Sequence, residues 1–541
     1  MLIVDLKQAR ELDGQLRHWA YNALDCTGTR EIADNLSKEL TPPTALVYGF
    51  ERALQAPAMS MMLRGVRVDR TKREAMIREA KQELRNADRR IQKEPVVVAQ
   101  WDGTELETGI CGQRGVGQHH KWPRGVPDAE RKCECCGTPR VKRTDFNANS
   151  ADATYHLLYE RLGIPVRTNK QGKDSTDDDV LGRIKADHPD YGGLIDTILN
   201  IRDKKKQLGS LLAKLSPDGR YFSSFNVGTA WTGRFSSSKN PFGWGGNLQN
   251  VAPKHRGMFI ADPGYTLGYA DYKQGESNLV AHLSGDEKYI EAHALGDVHT
   301  YVTRYVWPDL PWTGDLVLDK KIAKQNPPWD LAEGHDYRFQ CKRIQHGSNY
   351  GLTPFGISMI AQIPLAQAKR AYENYMGEFD LIPAWQEWVR SEVHERHALC
   401  NPFGRTITLT GRPWDKHTWR QALAFLPQSA LADLDDLAMW RVWYDLEEQE
   451  VQLLAQVHDA LLHQFPKGRL DLEREVLKRM LMPVPVTDFR GKTRIMTIGV
   501  ESEVGHNWGH ASDANPRGIS AKPIEDYLEQ YPIAGRTSRN R

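Results

Sequence analysis

The spacing of apolar and polar positions changes character several times along the 541 residues. "ALVYGFERALQAPAMSMMLRG" and "TKREAMIREAKQELRNADRRIQK", separated by the turn-like "RGVRVD", predict two helices within 46–95. From 96 to 144 neither a 3.6 nor a 2 period is sustained, and Gly, Pro and charge dominate, so this stretch reads as an insertion. Helical patterning returns at "SADATYHLLYERLG" and "GGLIDTILNIRDKKKQLGSLLAKL". Beyond 217, "GRYFSSFNVGTAWTGRFSSS" and "TLGYADYKQ" predict short strands. Helices are expected near 276–295, 336–349, 364–377 and 418–446, and "EVQLLAQVHDALLHQF" predicts a strand pair turning at His458-Asp459. The last 30 residues carry little apolar material and predict a loose tail. No internal repeat is visible.

Composition narrows the class without deciding it. Lys and Arg number 72 against 70 Asp and Glu, a formal charge of +2, so any polyanion-binding surface must be local. The length suits about three or four domains. No apolar run is long enough to span a bilayer and "MLIVDLKQAR" has no signal-peptide core, so a soluble, cytoplasmic protein with no membrane partner is expected. Seven cysteines are too few for a disulfide scaffold, yet Cys111, Cys133, Cys135 and Cys136 fall in one segment. Cys133 and Cys136 form a C-x₂-C pair, and Cys111 with His119 or His120 would complete a tetrahedral Zn²⁺ site. Cys135 is an alternative ligand, and reduced cysteines in a loop are the alternative reading. A bound metal would let a segment without a core fold.

Two features carry chemistry. "RFQCKRIQHGSNYGL" spaces Arg338, Lys342, His346 and Tyr350 four apart, which lays them along one helical stripe punctuated by Gly347 and Gly351. "YADYKQGE" sets Asp271 at the end of a strand-like run, and "VHDALL" sets Asp459 in a turn between two others. Phosphoryl transfer needs carboxylates that hold hard divalent ions and cations laid along a polyphosphate, and these two features together supply both.

The segments "TGRFSS" (232–237), "NLQNV" (247–251), "DYKQGE" (271–276), "HLSGD" (282–286), "DVHT" (297–300), R-x₃-K-x₃-H-G-x₂-Y-G (338–351) and "QVHDA" (456–460) stand in one order. The chain resembles, on those motifs, DNA polymerases of the bacterial polymerase I family, family A, over about residues 1–510. The resemblance implies a mixed α/β right-hand fold of palm, fingers and thumb, with an antiparallel palm sheet carrying the catalytic aspartates. The implied division is an exonuclease remnant (1–45), thumb (46–216, with 96–144 inserted), palm (217–298), fingers (299–415), palm (416–510) and tail (511–541). Asp271 and Asp459, with the Tyr272 carbonyl, would hold two Mg²⁺. Arg338 and Lys342 would bind the dNTP triphosphate, Lys342 assisting pyrophosphate departure. His299 would touch the phosphates, with Gln274 beside it, Glu276 would exclude a ribose 2′-OH, and His346 would lie beside the incoming sugar. Tyr350 would stack near the templating position, with Gly347 and Gly351 letting the chain pass close to the template. Arg234, Asn247, Gln249, Arg420, Gln428 and His458 would contact primer-template DNA, mostly in the minor groove, where acceptors are nearly alike for all base pairs. Lys204, Lys205 and Lys206 add a basic run for the same partner.

Departures from the family pattern are Ala460 in place of a second acid, Gly275 in place of an apolar residue, Ala424 in place of an asparagine, and His346 in place of Phe or Tyr. "YNALD" (Tyr21–Asp25) resembles the last motif of a 3′–5′ exonuclease, too near the start for the earlier acids; a vestigial helix and a split enzyme docking with a separate exonuclease chain are both open. By analogy with phage relatives, the 96–144 insertion would bind DNA or a processivity factor, and a phage-encoded chain would act in a bacterial host cell. Three rivals are a single-subunit RNA polymerase, disfavoured by Glu276; an inactive DNA-binding subunit, disfavoured by the intact acids and cations; and a nuclease, which has no use for the stripe.

Overall fold

The computed structural model describes residues 14–106, 121–123, 131–139, 141–169, 172–331 and 334–533. Both helices expected in 46–95 are present: α1 (Pro42–Arg64), which starts on prolines and ends at Gly65 with φ 61°, and α2 (Arg70–Ile91), capped by Asp69 accepting from Lys72 N. α2 packs along α3 (Gly192–Leu211), and a satellite core of Ile91, Val97, Leu157, Leu181, Ile195 and Ile198 lies around their far end. Among its described residues the aperiodic 96–144 stretch forms a short antiparallel ladder, Thr104–Leu106 against Val141–Arg143.

A hairpin follows, β1 (Ser223–Asn226) on β2 (Ser236–Lys239), and leads to the central sheet. That sheet is antiparallel in the order β4 (Gln452–Val457), β5 (Ala460–Pro466), β3 (Tyr265–Tyr272), β6 (Val500–Gly505). β3 is an inner strand, with Asp271 paired to Ala460 on one side and to Glu501 on the other. Nearly every β4 and β5 side chain is buried, because helices cover the sheet behind the site.

The helix expected over 276–295 is two: α4 (Gly275–Ser284), stopped by Gly285 at φ 63°, and Glu287–Ala294, begun by the Asp286 cap. α5 (Val298–Val306) and α6 (Tyr337–Asn349) pack together on the far side of the site. α7 (Lys416–Leu446), 31 residues long, runs against α4 and the sheet, and its buried positions include Asp433, Asp435 and Asp436.

The expected loose tail is corrected. Gly518–Ile519 adds a parallel strand to Asn507–His510 in a five-stranded sheet that also holds Phe259–Ile260, Val66–Val68 and Arg220–Tyr221. The Lys522–Gln530 helix then seats Ile524 in the core, where Ile519 and Ile533 are also buried. Few apolar residues sufficed because each falls at a contact position, and Asn515 supplies side-chain hydrogen bonds to Asn507 and Gly509. No described helix is long and apolar enough to cross a membrane.

Candidate active site

Register brings the two acids together. Asp271 ends β3 opposite Ala460, and the β4–β5 turn, with His458 at φ 60°, puts Asp459 beside it. The Asp459 carbonyl accepts from Tyr272 N at 3.2 Å. Burial, then the neighbouring Asp459 and Glu501 charges, push Asp271 up to about 7. Asp459 is also raised, by burial that outweighs the pull of Arg234. Among the described residues no protein donor reaches the Asp271 carboxylate, while Arg234 Nη2 reaches Asp459 Oδ1 at 3.0 Å and Glu276 Oε1 at 2.7 Å.

Lys342, His346 and Tyr350 of the stripe face these acids across an open pocket of about 340 Å³ that Gln274, Glu276 and His299 also line. The Tyr350 hydroxyl donates to Glu276 Oε2, so one carboxylate links Arg234 to the end of α6. Arg338 is instead turned to Asp297, Nη2 to Oδ1 at 2.8 Å. Burial would raise Asp297, but the Arg338 hydrogen bond and charge, with donors from Thr300, hold it near 2. His299 is 8 % exposed, and its Nδ1 lies 2.6 Å from Gln345 Oε1. Burial and then the Arg338 charge drop it to about 4, so it is neutral at pH 7. The His346 ring stands edge-on to Tyr350, centroids 4.6 Å apart. Loss of solvation first, then Lys342 and Arg234, hold His346 below its usual value despite Glu276.

The glycines of the stripe serve packing. A Cβ at Gly351, which has φ 70°, would stand 2.7 Å from the Trp419 ring, and one at Gly347 would stand 3.0 Å from Ile360 and Leu352. Close protein neighbours therefore explain both, where closeness to a template was expected. Gly275 is accounted for in the same way, since a Cβ there would stand 2.6 Å from Leu431.

The remaining expected residues divide into two groups. Arg234, Gln428 and His458 lie near the acids: Gln428 hydrogen-bonds Tyr350, and His458 sits exposed on the turn. Gln249 is buried with Nε2 donating to the Phe235 carbonyl, Asn247 Oδ1 accepts from Ser237 Oγ at 2.5 Å, and Arg420 donates to the Gly351 carbonyl. Of the lysine run, Lys204 is bound to Glu83 at 2.7 Å, while Lys205 and Lys206 are exposed. Tyr21 and Asp25 stand exposed on the Gly14–Glu39 helix.

Of the zinc set, Cys111, His119 and His120 lie outside the described residues. Cys133 and Cys136 share a turn closed by Gly137 N donating to the Cys133 carbonyl. Among the described residues no group of three His, Cys, Asp or Glu side chains is placed to hold a metal.

Sequence reading missed four participants. Asp297, the partner of Arg338, was legible as the cap of a D-x-x-T helix start, its side chain accepting from Thr300 N. Gln345 gave no signal. Asp435 and Asp436, fully buried beneath the site and both accepting from Gln456 Nε2 at 2.7 and 2.8 Å, gave none either, because acids on a helix ordinarily face water.

An acidic strand end and turn thus face a cationic helix across a solvent-open pocket. Residues 137–510 match the family model of DNA polymerase family A, and the chain belongs to that family. It is 30 % identical over 394 residues to the thermostable DNA polymerase I of Thermus thermophilus, covering 69 % of this chain and 43 % of that one. Against DNA polymerase I of Mycobacterium bovis it is 28 % identical over 389 residues, 68 % and 39 % of the two chains. The chain thus spans less than half the length of these curated relatives. The fold is shared with the POL domain of Pol1 from M. smegmatis, solved in complex with DNA primer-template and dNTP (TM-score 0.64, 23 % identity, 88 % of this chain and 74 % of that one).

Proposed function

We propose that the chain is a template-directed DNA polymerase that adds dNTPs to a primer 3′ end. The observation that carries this reading is the Asp271–Asp459 pair facing Lys342 and Tyr350 across one pocket, with Glu276 bound by Arg234 and Tyr350. The division into palm (β3–β6 with α7), fingers (α5 and α6) and thumb (α2 and α3) is adopted with it.

The acids suit Mg²⁺: both are oxygen donors, the Asp459 charge raises the proton affinity of Asp271, and no described protein donor is hydrogen-bonded to the Asp271 carboxylate. Bound Mg²⁺ would activate the 3′-OH and neutralise charge developing on the phosphates. The primer 3′-oxygen forms a bond to the α-phosphorus as the bond to pyrophosphate breaks. Asp271, Asp459 and the Tyr272 carbonyl would hold the ions beside the reacting end. Lys342 meets the charge of the departing pyrophosphate, and Arg338 reaches the triphosphate on release from Asp297. His299 must gain a proton at Nε2 before it can donate to a phosphate oxygen, and an adjacent triphosphate favours that charged form. Glu276, fixed by Arg234 and Tyr350, fills the space where a 2′-OH would sit.

Arg234 supports a minor-groove role, since one terminal nitrogen spans Glu276 and Asp459 at the place a primer terminus would occupy. The test is primer extension by purified protein with Mg²⁺ and either four dNTPs or four rNTPs. Template-dependent extension with dNTPs and not rNTPs is expected; extension with rNTPs alone would give the site to an RNA polymerase, and none with either would leave a binding subunit.

A further inference from the structure

Asp297 binds two cations at once. Arg338 Nη2 lies 2.8 Å from its Oδ1 and Arg338 Nε 3.2 Å from its Oδ2, while Lys320 Nζ stands 3.4 Å from Oδ2. The same carboxylate caps α5, accepting from Thr300 N at 3.2 Å and Thr300 Oγ1 at 3.0 Å, so it cannot follow either cation away. Its side chain is 14 % exposed, and water can replace a lost partner only in part. Lys320 is brought there by a built segment. The Leu316–Ala323 helix packs on α5 and α6, and Asp315 caps it by accepting from Val317 N and Leu318 N at 2.8 and 2.9 Å. Asp319, with its side chain fully buried, accepts from Thr313 N and Thr313 Oγ1, both at 2.8 Å, and lies 2.7 Å from Arg304 Nε of α5. Lys320 is the next residue, so this buried anchor fixes where its stem begins. A lone exposed ion pair is ordinarily worth little. This one completes a triad whose third member, Arg338, begins the stripe that faces the acids.

We propose that Lys320 is a positioning residue for nucleotide entry: it keeps Asp297 neutralised when Arg338 leaves for the triphosphate, and thereby sets how readily Arg338 is released. Two cations on one anion leave a surplus positive charge in the resting protein, and their mutual repulsion favours departure of one of them. Once Arg338 has gone, Lys320 balances Asp297 alone. Without Lys320, a partly buried carboxylate would stand uncompensated at the start of α5, two residues before His299, and would repel the arriving polyphosphate. The inference rests on the polymerase reading, which sends Arg338 to the incoming dNTP. Only molecules with Arg338 released are then competent to bind, and apparent affinity is scaled by their fraction.

The test separates affinity from rate. The full chain is saturated with primer-template, and single-nucleotide incorporation is followed over a range of dNTP concentration to give an apparent dNTP Kd and a maximal rate. Lys320→Ala should raise Kd roughly 5–10-fold with the maximal rate within about twofold of wild type, and Lys320→Arg should restore Kd. Asp297→Asn keeps the helix cap, since Asn caps as well as Asp, and removes the charge that both cations answer; it should lower Kd by a similar factor. In that background Lys320→Ala should change nothing, because no charge is left to neutralise. An unchanged Kd in Lys320→Ala, a loss of maximal rate in place of affinity, or an Asp297→Asn Kd at or above wild type would each overturn the proposal. The same loss from Lys320→Ala in both backgrounds would overturn it too, by placing Lys320 on the triphosphate itself. All four outcomes leave the polymerase reading intact. A wild type that incorporates no dNTP would overturn both.

Discussion

At the scale of single residues, the site is a balance of charges that a ligand would complete. Asp271 carries a folded-state value of about 7 against an unfolded one near 3.8, so between those values the native state holds a proton that the unfolded chain releases. Stability from this group therefore falls as pH rises through that window, and the penalty is complete above it. Asp271→Asn is expected to raise Tm at pH 8, by the equivalent of about 1–3 kcal/mol after solvent screening, with the gain shrinking toward pH 4. Added Mg²⁺ should raise Tm at pH 8 more for wild type than for the variant, as calorimetry can show. Activity should move the opposite way: Asp271→Ala or Asp459→Ala should cost extension on the order of 10³-fold or more with DNA affinity largely kept. Glu276→Ala should relax sugar choice by roughly 10–200-fold, read as the ratio of rNTP to dNTP incorporation. The protein by itself pushes His346 down. Protonation then needs an acid pH even beside a triphosphate. Dideoxynucleotide acceptance should therefore rise over dNTP only in acid, and His346→Phe should remove that rise. These acids and cations were readable because their types and spacing state their chemistry. The Arg234–Glu276–Tyr350 link was not, since its members come from three separated segments.

At the scale of elements, local pattern predicted type well and partners poorly. The β4–β5 hairpin and α6 followed from periodicity, and the break between α4 and its successor could have been read from Gly285-Asp286, a helix stop followed by a cap. The C-terminal segment was misjudged because sparse apolar residues were weighed by number instead of by place. Ile524, 1 % exposed, is the anchor of its helix. Ile524→Ala should cost about 2–5 kcal/mol by denaturant titration, whereas a truly loose tail would show no change. The acidic patch of α7 escaped notice for a related reason: periodicity marks a buried face by apolar residues, and Asp433, Asp435 and Asp436 are buried polar ones. Asp433 is held there by Arg405, which donates to it with Nη2 at 2.7 Å and also reaches Glu51 of α1.

At the scale of the whole molecule, the sheet that carries both acids is sewn from three distant stretches of chain. β3 pairs with β5 and with β6, and Asp271 and Asp459 are about 190 residues apart in sequence. Order of motifs along the chain was enough to imply a right-hand fold, but not the register that sets Asp271 opposite Ala460, because hydrophobic alternation fixes which face a strand shows and not which neighbour it meets. The same topology has a kinetic side. Loops of this length must close before their contacts repay the lost chain entropy, so the central sheet should be among the last parts to assemble, well after the local helices. On refolding from denaturant, far-ultraviolet helical signal should return before nucleotide incorporation does. In the interval the apolar strands β4 and β5 are unpaired and open to association between chains, which makes recovery of activity fall as protein concentration rises.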